Sequence, residues 1–181
     1  MGFCDRYIHA LHSTDLRDDA LHHMTDALQA ASFANDVARG IGSLLARVKY
    51  ADTLSRQFED GNGNLAKLQR EWLAIVTEKG SARRWIKVED IPTIGHLAPA
   101  MYKRVADASL EHYLDGKCTD CRGSGVSDAS QMCRPCKGSG NSEITGLGNL
   151  ENKHAMDMVS ELMSLESSHS GAASALLRRG E

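Results

Sequence analysis

The chain has 181 residues, of which 41% are hydrophobic and 25% are charged, and its net charge at pH 7 is -3. This composition is typical of a globular protein and excludes the overall basic excess that marks many nucleic-acid binders. The apolar runs are too short to cross a bilayer and no export signal is visible, so we expect a cytoplasmic protein without a membrane partner. The basic residues concentrate in the stretch 66–104, which holds eight Lys or Arg against four Asp or Glu.

Alanine and leucine are the two commonest residues, and both favour helices, so we predict an all-α fold with a body of about five to six helices. Apolar residues recur at three- and four-residue steps over residues 16–31, 37–54 and 65–76, which predicts three helices. The first is capped near Thr14. The third is expected to stop at Gly80, because glycine is common just after the end of a helix.

Three further helices are predicted in the second half of the chain. A short basic helix at 81–92 surrounds Trp85 and ends near Pro92, because the residue before a proline is pushed out of the helical region. Another begins near Pro99 and continues to about Leu114. A C-terminal helix begins near residue 150, and the serine-rich stretch after it is expected to be mobile, with a final short helix as the alternative.

The cysteines carry the clearest chemical signal. Four of the five form two closely spaced pairs, Cys118-Thr-Asp-Cys121 and Cys133-Arg-Pro-Cys136, and each pair is followed by a basic residue and Gly-Ser-Gly. Two residues between thiolates let both sulfurs reach one ion from a tight turn, and the second pair completes a tetrahedron. We therefore predict one structural Zn²⁺ bound by Cys118, Cys121, Cys133 and Cys136, with Cys4 as a bystander.

Disulfides and a redox-active pair are the competing interpretations of these cysteines. Disulfides are disfavoured by the missing export signal, and a dithiol oxidoreductase needs only one pair, usually in a βαβ context. Four thiolates leave no open coordination position for water or substrate. Because no activated nucleophile or phosphate-binding glycine loop is visible either, we predict that the protein is not an enzyme and has no small-molecule substrate.

Basic residues interleave the metal ligands and would be held rigidly by the two turns. We predict DNA contacts there and on the preceding helix, at Lys117, Arg122, Arg134, Lys137, Lys103 and Arg104. The alternative is that these charges only tune the thiolates and solubility. A second cluster, Arg83, Arg84 and Lys87 around Trp85, is predicted to contact phosphates or a partner protein, with a solvated helix face as its alternative.

The Cys-x-x-Cys-x-Gly-x-Gly repeat also occurs in J-domain co-chaperones, but those carry four copies and a His-Pro-Asp signature that this chain lacks. Two copies placed directly after a helix, as residues 105–113 stand before Cys118, resemble the Q-type late-gene antitermination proteins of lambdoid phages. The resemblance covers residues 95–165. It implies a transcription factor of the bacterial host cytoplasm that binds promoter-region DNA near a phage late promoter, engages paused bacterial RNA polymerase and reads through terminators.

These observations predict three regions. Residues 1–92 form a helical body that contacts the polymerase or another partner, residues 93–166 form a DNA-binding helix, zinc module and helix, and residues 167–181 form a mobile tail. A zinc-stabilised interaction adaptor without a DNA site, either chaperone-like or polymerase-binding, is the alternative from another class, and a redox thiol protein is a third. DNA binding weakens steeply with salt as counterions are released, whereas apolar binding does not.

Overall fold

A computed structural model of the chain describes residues 2–12, 24–51, 63–87, 89, 91–127 and 131–180. Its helices are α1 (Phe3–His12), α2 (Met24–Phe33), α3 (Gly42–Ala46), α4 (Asn64–Ala82), α5 (Ile91–Ile94), α6 (Ala98–Asp115) and α7 (Asn149–Gly180). Short 3-10 turns occur at Asn35–Ala38 and Gly95–Leu97, and a π-helical turn at Arg47–Ala51. Strand-like pairing within the described ranges is limited to two isolated bridges, so the all-α prediction is confirmed. In this part of the chain no helix combines the length and the apolar character needed to span a membrane.

The chain divides into two compact units, one made of Met1–Glu71 and Met163–Glu181 and the other of Trp72–Leu162. The predicted regions 1–92 and 93–166 do not coincide with these units. The reason lies in α4, whose second half packs within the second unit: the Trp72 indole N–H donates to Ser109 Oγ of α6 at 3.0 Å. Lys79, two turns later, forms an ion pair with Glu161 of α7.

In the first unit, α1 and α2 pack through aromatic and small residues. Phe3 and Tyr7, one turn apart on α1, stack with ring centroids 5.6 Å apart. They share a buried cluster with the alanines Ala30, Ala31 and Ala34, whose small side chains let two backbones approach closely. The sequence reasoning did not predict α1. Of the helix predicted from Thr14, residues 13–23 lie outside the described residues and the rest corresponds to α2.

The end of α7 also belongs to this core. His169 is 1% exposed, its Nε2 hydrogen-bonds to the carbonyl oxygen of Ala31 at 3.0 Å, and its ring meets Phe3 edge-on. Ala173, one turn later, is fully buried in the same cluster. Residues 167–180 continue α7, where the sequence predicted a mobile tail or a separate short helix. Buried contacts far away in the sequence order this segment, despite its serine-rich composition.

The helix predicted at 37–54 is interrupted. Arg39 and Gly40 adopt left-handed backbone torsions, with φ of 56° and 80°, between the first 3-10 turn and α3. The amide of Gly40 bonds back to the carbonyl of Asn35 at 2.9 Å, and the Asn35 side chain donates to the carbonyl of Gly40 at 2.7 Å. This local hydrogen bonding replaces one continuous helix by short turns. Residues 52–54 lie outside the described residues.

The helix α4 ends two residues beyond the predicted stop. Arg84 is left-handed with φ of 52°, and the Trp85 amide bonds back to the carbonyl of Gly80 at 3.0 Å, as in a Schellman motif. Gly80 itself is buried inside the helix, where a Cβ would lie 2.6 Å from the ring of Tyr102. The predicted basic helix at 81–92 was also wrong, because residues 83–87 form a turn after α4 and α5 begins at Ile91.

The two helices predicted beside the cysteines are confirmed. α6 spans Ala98–Asp115, with Pro99 in its first turn, and α7 begins at Asn149. The buried residues of α6 are Tyr102, Val105, Ala106, Ser109, Leu110 and Tyr113. The predicted apolar side of α7 is buried as well, at Ala155, Met158, Val159, Leu162 and Leu165.

Candidate metal centre and its basic surface

The cysteine segment lies in the second unit, directly after α6, and forms two equivalent turns. In each turn the basic residue and the glycine after the second cysteine are left-handed. The φ values are 51° and 88° at Arg122 and Gly123, and 51° and 82° at Lys137 and Gly138. Glycine adopts such torsions without steric cost, so the Cys-x-x-Cys-basic-Gly repeat becomes a repeated backbone path.

The serine between the two glycines closes each turn. Ser124 Oγ donates to the carbonyl oxygen of Cys121 at 2.8 Å, and Ser139 Oγ donates to that of Cys136 at 2.7 Å. Each serine oxygen also accepts the amide N–H two residues later, at 3.2 Å in both copies. The two copies therefore share the same hydrogen bonds as well as the same residue spacing.

Each turn also completes the backbone hydrogen bonding of the other. The amide of Cys118 donates to the carbonyl of Gly140 at 2.8 Å, and the amide of Cys133 donates to the carbonyl of Gly125 at 2.9 Å. These reciprocal bonds relate the two halves by an approximate two-fold axis. Neither half can form its own pattern without the backbone of the other.

The second glycine of each copy lies against the backbone of the other copy. A Cβ on Gly125 would be 2.4 Å from the carbonyl oxygen of Gly138, and a Cβ on Gly140 would be 2.5 Å from that of Gly123. Real Cβ atoms do not approach a backbone oxygen so closely. Glycine is therefore required at these positions both for the torsion and for the contact between the halves.

The reciprocal turns bring the four predicted ligands together. The sulfurs of Cys118, Cys121, Cys133 and Cys136 all lie within 4.8 Å of one another, and all four residues are buried. The Cys118 and Cys133 sulfurs are 3.9 Å apart, and those of Cys121 and Cys136 are 3.6 Å apart. This arrangement could hold one metal ion. Cys4 lies in the first unit and contributes nothing to it.

Backbone amides stabilise negative charge on the sulfurs. The Gly125 and Gly140 amides donate to the sulfurs of Cys121 and Cys136, at 3.2 and 3.3 Å. Burial opposes ionisation of Cys121, but the Gly125 amide and the neighbouring thiols lower its pKa to about 6. The Cys136 amide favours ionisation of Cys133, but burial and the neighbouring thiols raise its pKa to about 12. Cys121 and Cys133 are thus shifted in opposite directions, and a cation among the sulfurs would favour ionisation of both.

No protein-family model, curated protein or solved structure matches the chain. The charge and exposure of the residues around the cluster therefore carry its functional interpretation. Lys117, Arg122 and Arg134 are exposed, and within the ranges that the structure describes none of them forms an ion pair. Lys137, also exposed, lies 3.5 Å from Glu143.

The two basic residues of α6 that were predicted to contact DNA both form ion pairs with acidic side chains of the protein. Lys103 pairs with Asp107 one turn along the helix at 2.6 Å. Arg104 forms a two-pronged ion pair with Glu151 at the start of α7. That guanidinium lowers the pKa of Glu151 below its ordinary value, while the carboxylate raises the pKa of Arg104. Arg104 thus links α6 to α7, and Lys103 is paired within α6, so both are less available to an outside anion than Lys117, Arg122 and Arg134.

The cluster around Trp85 is divided in the same way. Arg83 lies 3.5 Å from Glu161, and Lys87 lies 3.5 Å from Glu89. Arg84 is exposed, but its left-handed torsion gives it a structural role at the end of α4. Two of the three cations of this cluster are thus paired with acids, and its predicted contact with phosphates or a partner protein stays a prediction.

Two exposed residues of the cysteine segment were missed by the sequence reasoning. Val126 and Met132 form an isolated antiparallel bridge and are 46% and 67% exposed. Aligning the two copies of the repeat would have identified them, because Met132 stands directly before the first cysteine of its copy, as Lys117 does in the other.

Proposed function

We propose that the four-cysteine cluster binds one structural Zn²⁺. Zinc takes four thiolates in a tetrahedron with bonds of about 2.3 Å, and the buried sulfurs with their amide donors fit this donor set. Because the protein fills all four coordination positions, none is left for water or substrate. The ion would therefore stabilise the two turns, and we propose a protein that acts by binding, without an enzymatic reaction at the metal.

We further propose that the protein is a DNA-binding transcription antitermination factor. The observation that carries this proposal is the set of exposed cations Lys117, Arg122 and Arg134, which lie on turns braced by the metal and have no acidic partner in the described residues. Such fixed cations suit the closely spaced phosphates of DNA. The resemblance of the repeat to Q-type proteins supplies the process: binding near a phage late promoter and modifying RNA polymerase so that it reads through terminators.

The ion pairs refine where DNA would bind. Lys103 is paired with Asp107 on α6 and Arg104 with Glu151 of α7, so we place the DNA contacts on the two cysteine turns and assign Arg104 to the packing of α6 against α7. Lys137 forms an exposed ion pair with Glu143 at 3.5 Å. Such a pair is weak enough for the lysine to exchange its carboxylate partner for a phosphate. Contacts to RNA polymerase would then be made by other parts of the chain.

The DNA surface is tested by a double variant, Arg122→Ala with Arg134→Ala, measured against salt concentration. We expect weaker binding, and the slope of log affinity against log salt should fall by about one unit for each lost phosphate contact. Lys103→Ala is the matched control, because it removes one exposed charge that is already paired with Asp107. An unchanged slope in the double variant, or an equal change in the control, would contradict this placement of the DNA surface.

Antitermination is tested separately by transcription in vitro. RNA polymerase paused near a promoter is released on a template with a downstream terminator, and the protein should increase the fraction of full-length transcripts. The double variant should lose this increase. DNA binding without any read-through would contradict the antitermination proposal and leave a DNA-binding protein of another kind.

A zinc-stabilised interaction adaptor remains the second candidate, and specific observations favour it. Several predicted DNA contacts are paired with acids, and the chain has a net charge of -3. The start of α7 also exposes Leu150 and Met156, which are 59% and 45% exposed. An adaptor that binds through apolar surface would keep its affinity for its partner as salt rises, whereas a DNA binder would not.

A further inference from the structure

The two halves of the cysteine segment provide an internal comparison. Two antiparallel bridges join the two copies of the repeat, Lys117 with Asn141 and Met132 with Val126. Equivalent hydrogen bonds flank the bridges: the Ser142 amide donates to the carbonyl of Gly116 at 2.9 Å, and at the other bridge the Ser127 amide donates to that of Gln131 at 2.7 Å. The approximate two-fold axis therefore places Met132 on Lys117 and Val126 on Asn141.

The same packing task is met by different side chains in the two halves. The Cγ and Cδ atoms of Lys117 lie 3.5 and 3.4 Å from the position of a Cβ on Gly123. The Cγ and Sδ atoms of Met132 lie 3.1 and 3.4 Å from the same point on Gly138. In both copies an aliphatic stem therefore covers the glycine. Lys117 shows that a polar end group satisfies the fold.

The apolar pair is nevertheless left in water. Residues paired in this way, between flanking hydrogen bonds, have side chains on one face of the ribbon and close to each other. Val126 and Met132 thus form one small apolar tip, whereas the equivalent pair, Lys117 and Asn141, is polar. Since the fold does not need this tip, we attribute it to a binding partner.

Charge and size indicate the kind of partner. Arg134 follows Met132 by two residues in the sequence, and Lys137 directly precedes the glycine under Met132, so two exposed cations are close to the tip along the chain. A stable protein interface buries roughly 800 Å² on each side, far more than two side chains provide. By contrast, one or two apolar side chains among cations are enough to act as a wedge between base pairs, as methionine does in several DNA-bending proteins.

We infer that Met132 and Val126 form a wedge that inserts at a base-pair step of double-stranded DNA while Arg134 and Lys137 contact the flanking phosphates. This inference rests on the proposed DNA binding and adds to it a mode of contact. Insertion unstacks and kinks the duplex, so binding should favour flexible TA and CA steps. The contact would read deformability more than base edges.

The test compares the full-length, metal-loaded protein with a neutral double variant, Val126→Asn with Met132→Gln. Asparagine already occupies the equivalent position 141, and glutamine keeps the stem over Gly138, so metal content and helical circular dichroism should stay unchanged. The probe is a mixed-sequence duplex of about 30 base pairs that contains TA and CA steps and carries a dye at each end. Met132→Leu is the matched control, and Met132→Gln alone is the second variant.

We expect the unmodified protein and Met132→Leu to bind this duplex and to shorten the distance between the dyes. Both polar variants should bind at least about tenfold more weakly and should not bend the duplex. If the polar variants bind and bend DNA like the unmodified protein, the wedge is overturned and DNA binding stands. Tight binding by the unmodified protein without bending also overturns the wedge.

The remaining outcomes separate the two proposals. Failure of the unmodified protein to bind the duplex overturns the proposed DNA binding and this inference with it. If the polar variants bind and bend DNA normally but lose binding to RNA polymerase, the tip contacts a protein, which also overturns the wedge.

Discussion

Replacing Gly140 by alanine tests whether contact between the two cysteine turns controls metal binding. Gly140 has φ of 77°, and an added Cβ would lie 2.5 Å from the carbonyl oxygen of Gly123 and 3.1 Å from its carbon. The left-handed torsion costs an alanine about 1–2 kcal/mol. The overlap is with backbone, so the halves must move apart, which weakens the bond from the Cys118 amide to the Gly140 carbonyl.

The matched control is Gly123→Ala. Gly123 has φ of 88°, but the nearest atom to its added Cβ is Cδ of Lys117 at 3.4 Å, which is an ordinary contact. The control therefore carries the torsional strain without the overlap. Overpacking costs about 1–3 kcal/mol and the lost hydrogen bond about 1 kcal/mol, so Gly140→Ala should lose about 2–4 kcal/mol more than the control.

In sites of this kind metal binding is coupled to folding, so we expect this difference in the affinity for the proposed Zn²⁺. At about 1.4 kcal/mol per tenfold, Gly140→Ala should bind Zn²⁺ roughly 30- to 1,000-fold more weakly than Gly123→Ala. The assay is competition for Zn²⁺ against a coloured chelator at fixed pH. Equal losses in the two variants would refute the reasoning, because the torsion alone would then explain both.

Three further predictions concern the helical body and the metal. Gly42→Ala places a Cβ 2.4 Å from Cδ2 of His169 and should lower the free energy of unfolding by about 1–3 kcal/mol. Gly171→Ala has open space around its Cβ on α7 and should raise the free energy of unfolding by up to about 1 kcal/mol. Equal effects of the two variants in denaturant titrations would contradict this packing. Burial holds the pKa of His169 below its ordinary value despite the hydrogen bond to Ala31. As the pH falls through about 6.5, this histidine is therefore protonated in the unfolded chain but stays neutral in the folded chain. Stability should therefore be intact above that pH and fall below it, by up to about 1.4 kcal/mol per pH unit for this histidine; a ring pKa in an NMR titration at or above the free value would exclude the effect. Chelation should abolish DNA binding while sparing most of the helical circular dichroism, because the buried cysteines form a cluster separate from the α1 and α2 core; a general loss of helix would show that the metal supports the whole fold.

The sequence predicted best where chemistry and local pattern agree. The gathering of the four cysteines was predicted from their spacing and from the glycines after them, because this pattern leaves few other backbone paths. The bounds of α6 and the start of α7 were close for a similar reason, since Pro99 and the periodic apolar residues act within a few positions of each other. The zinc identity, the DNA contacts and the antitermination role stay predictions.

Failures occurred where distant contacts decide the structure. The serine-rich end of α7 looked mobile in the sequence, but His169 hydrogen-bonds to the Ala31 carbonyl and Ala173 is buried in the cluster around α1. Gly80 looked like a helix stop, yet it is a point of close approach to Tyr102, and Arg84 supplies the left-handed residue instead. The ion pair of Arg104 could not be foreseen either, because Glu151 is 47 residues away in the sequence. The pair of Lys103 with Asp107 is local, four residues apart on α6, and was overlooked.

The hydrogen bond from the Ser142 amide to the Gly116 carbonyl brings the entry and the exit of the cysteine segment side by side. A segment that leaves a connection and returns to the same point adds no length to that connection. We therefore expect that residues 117–141 can be lengthened or exchanged for another segment while the helices on either side keep their geometry. The same closure would let such segments pass between helical proteins during evolution without any change in the helices that receive them.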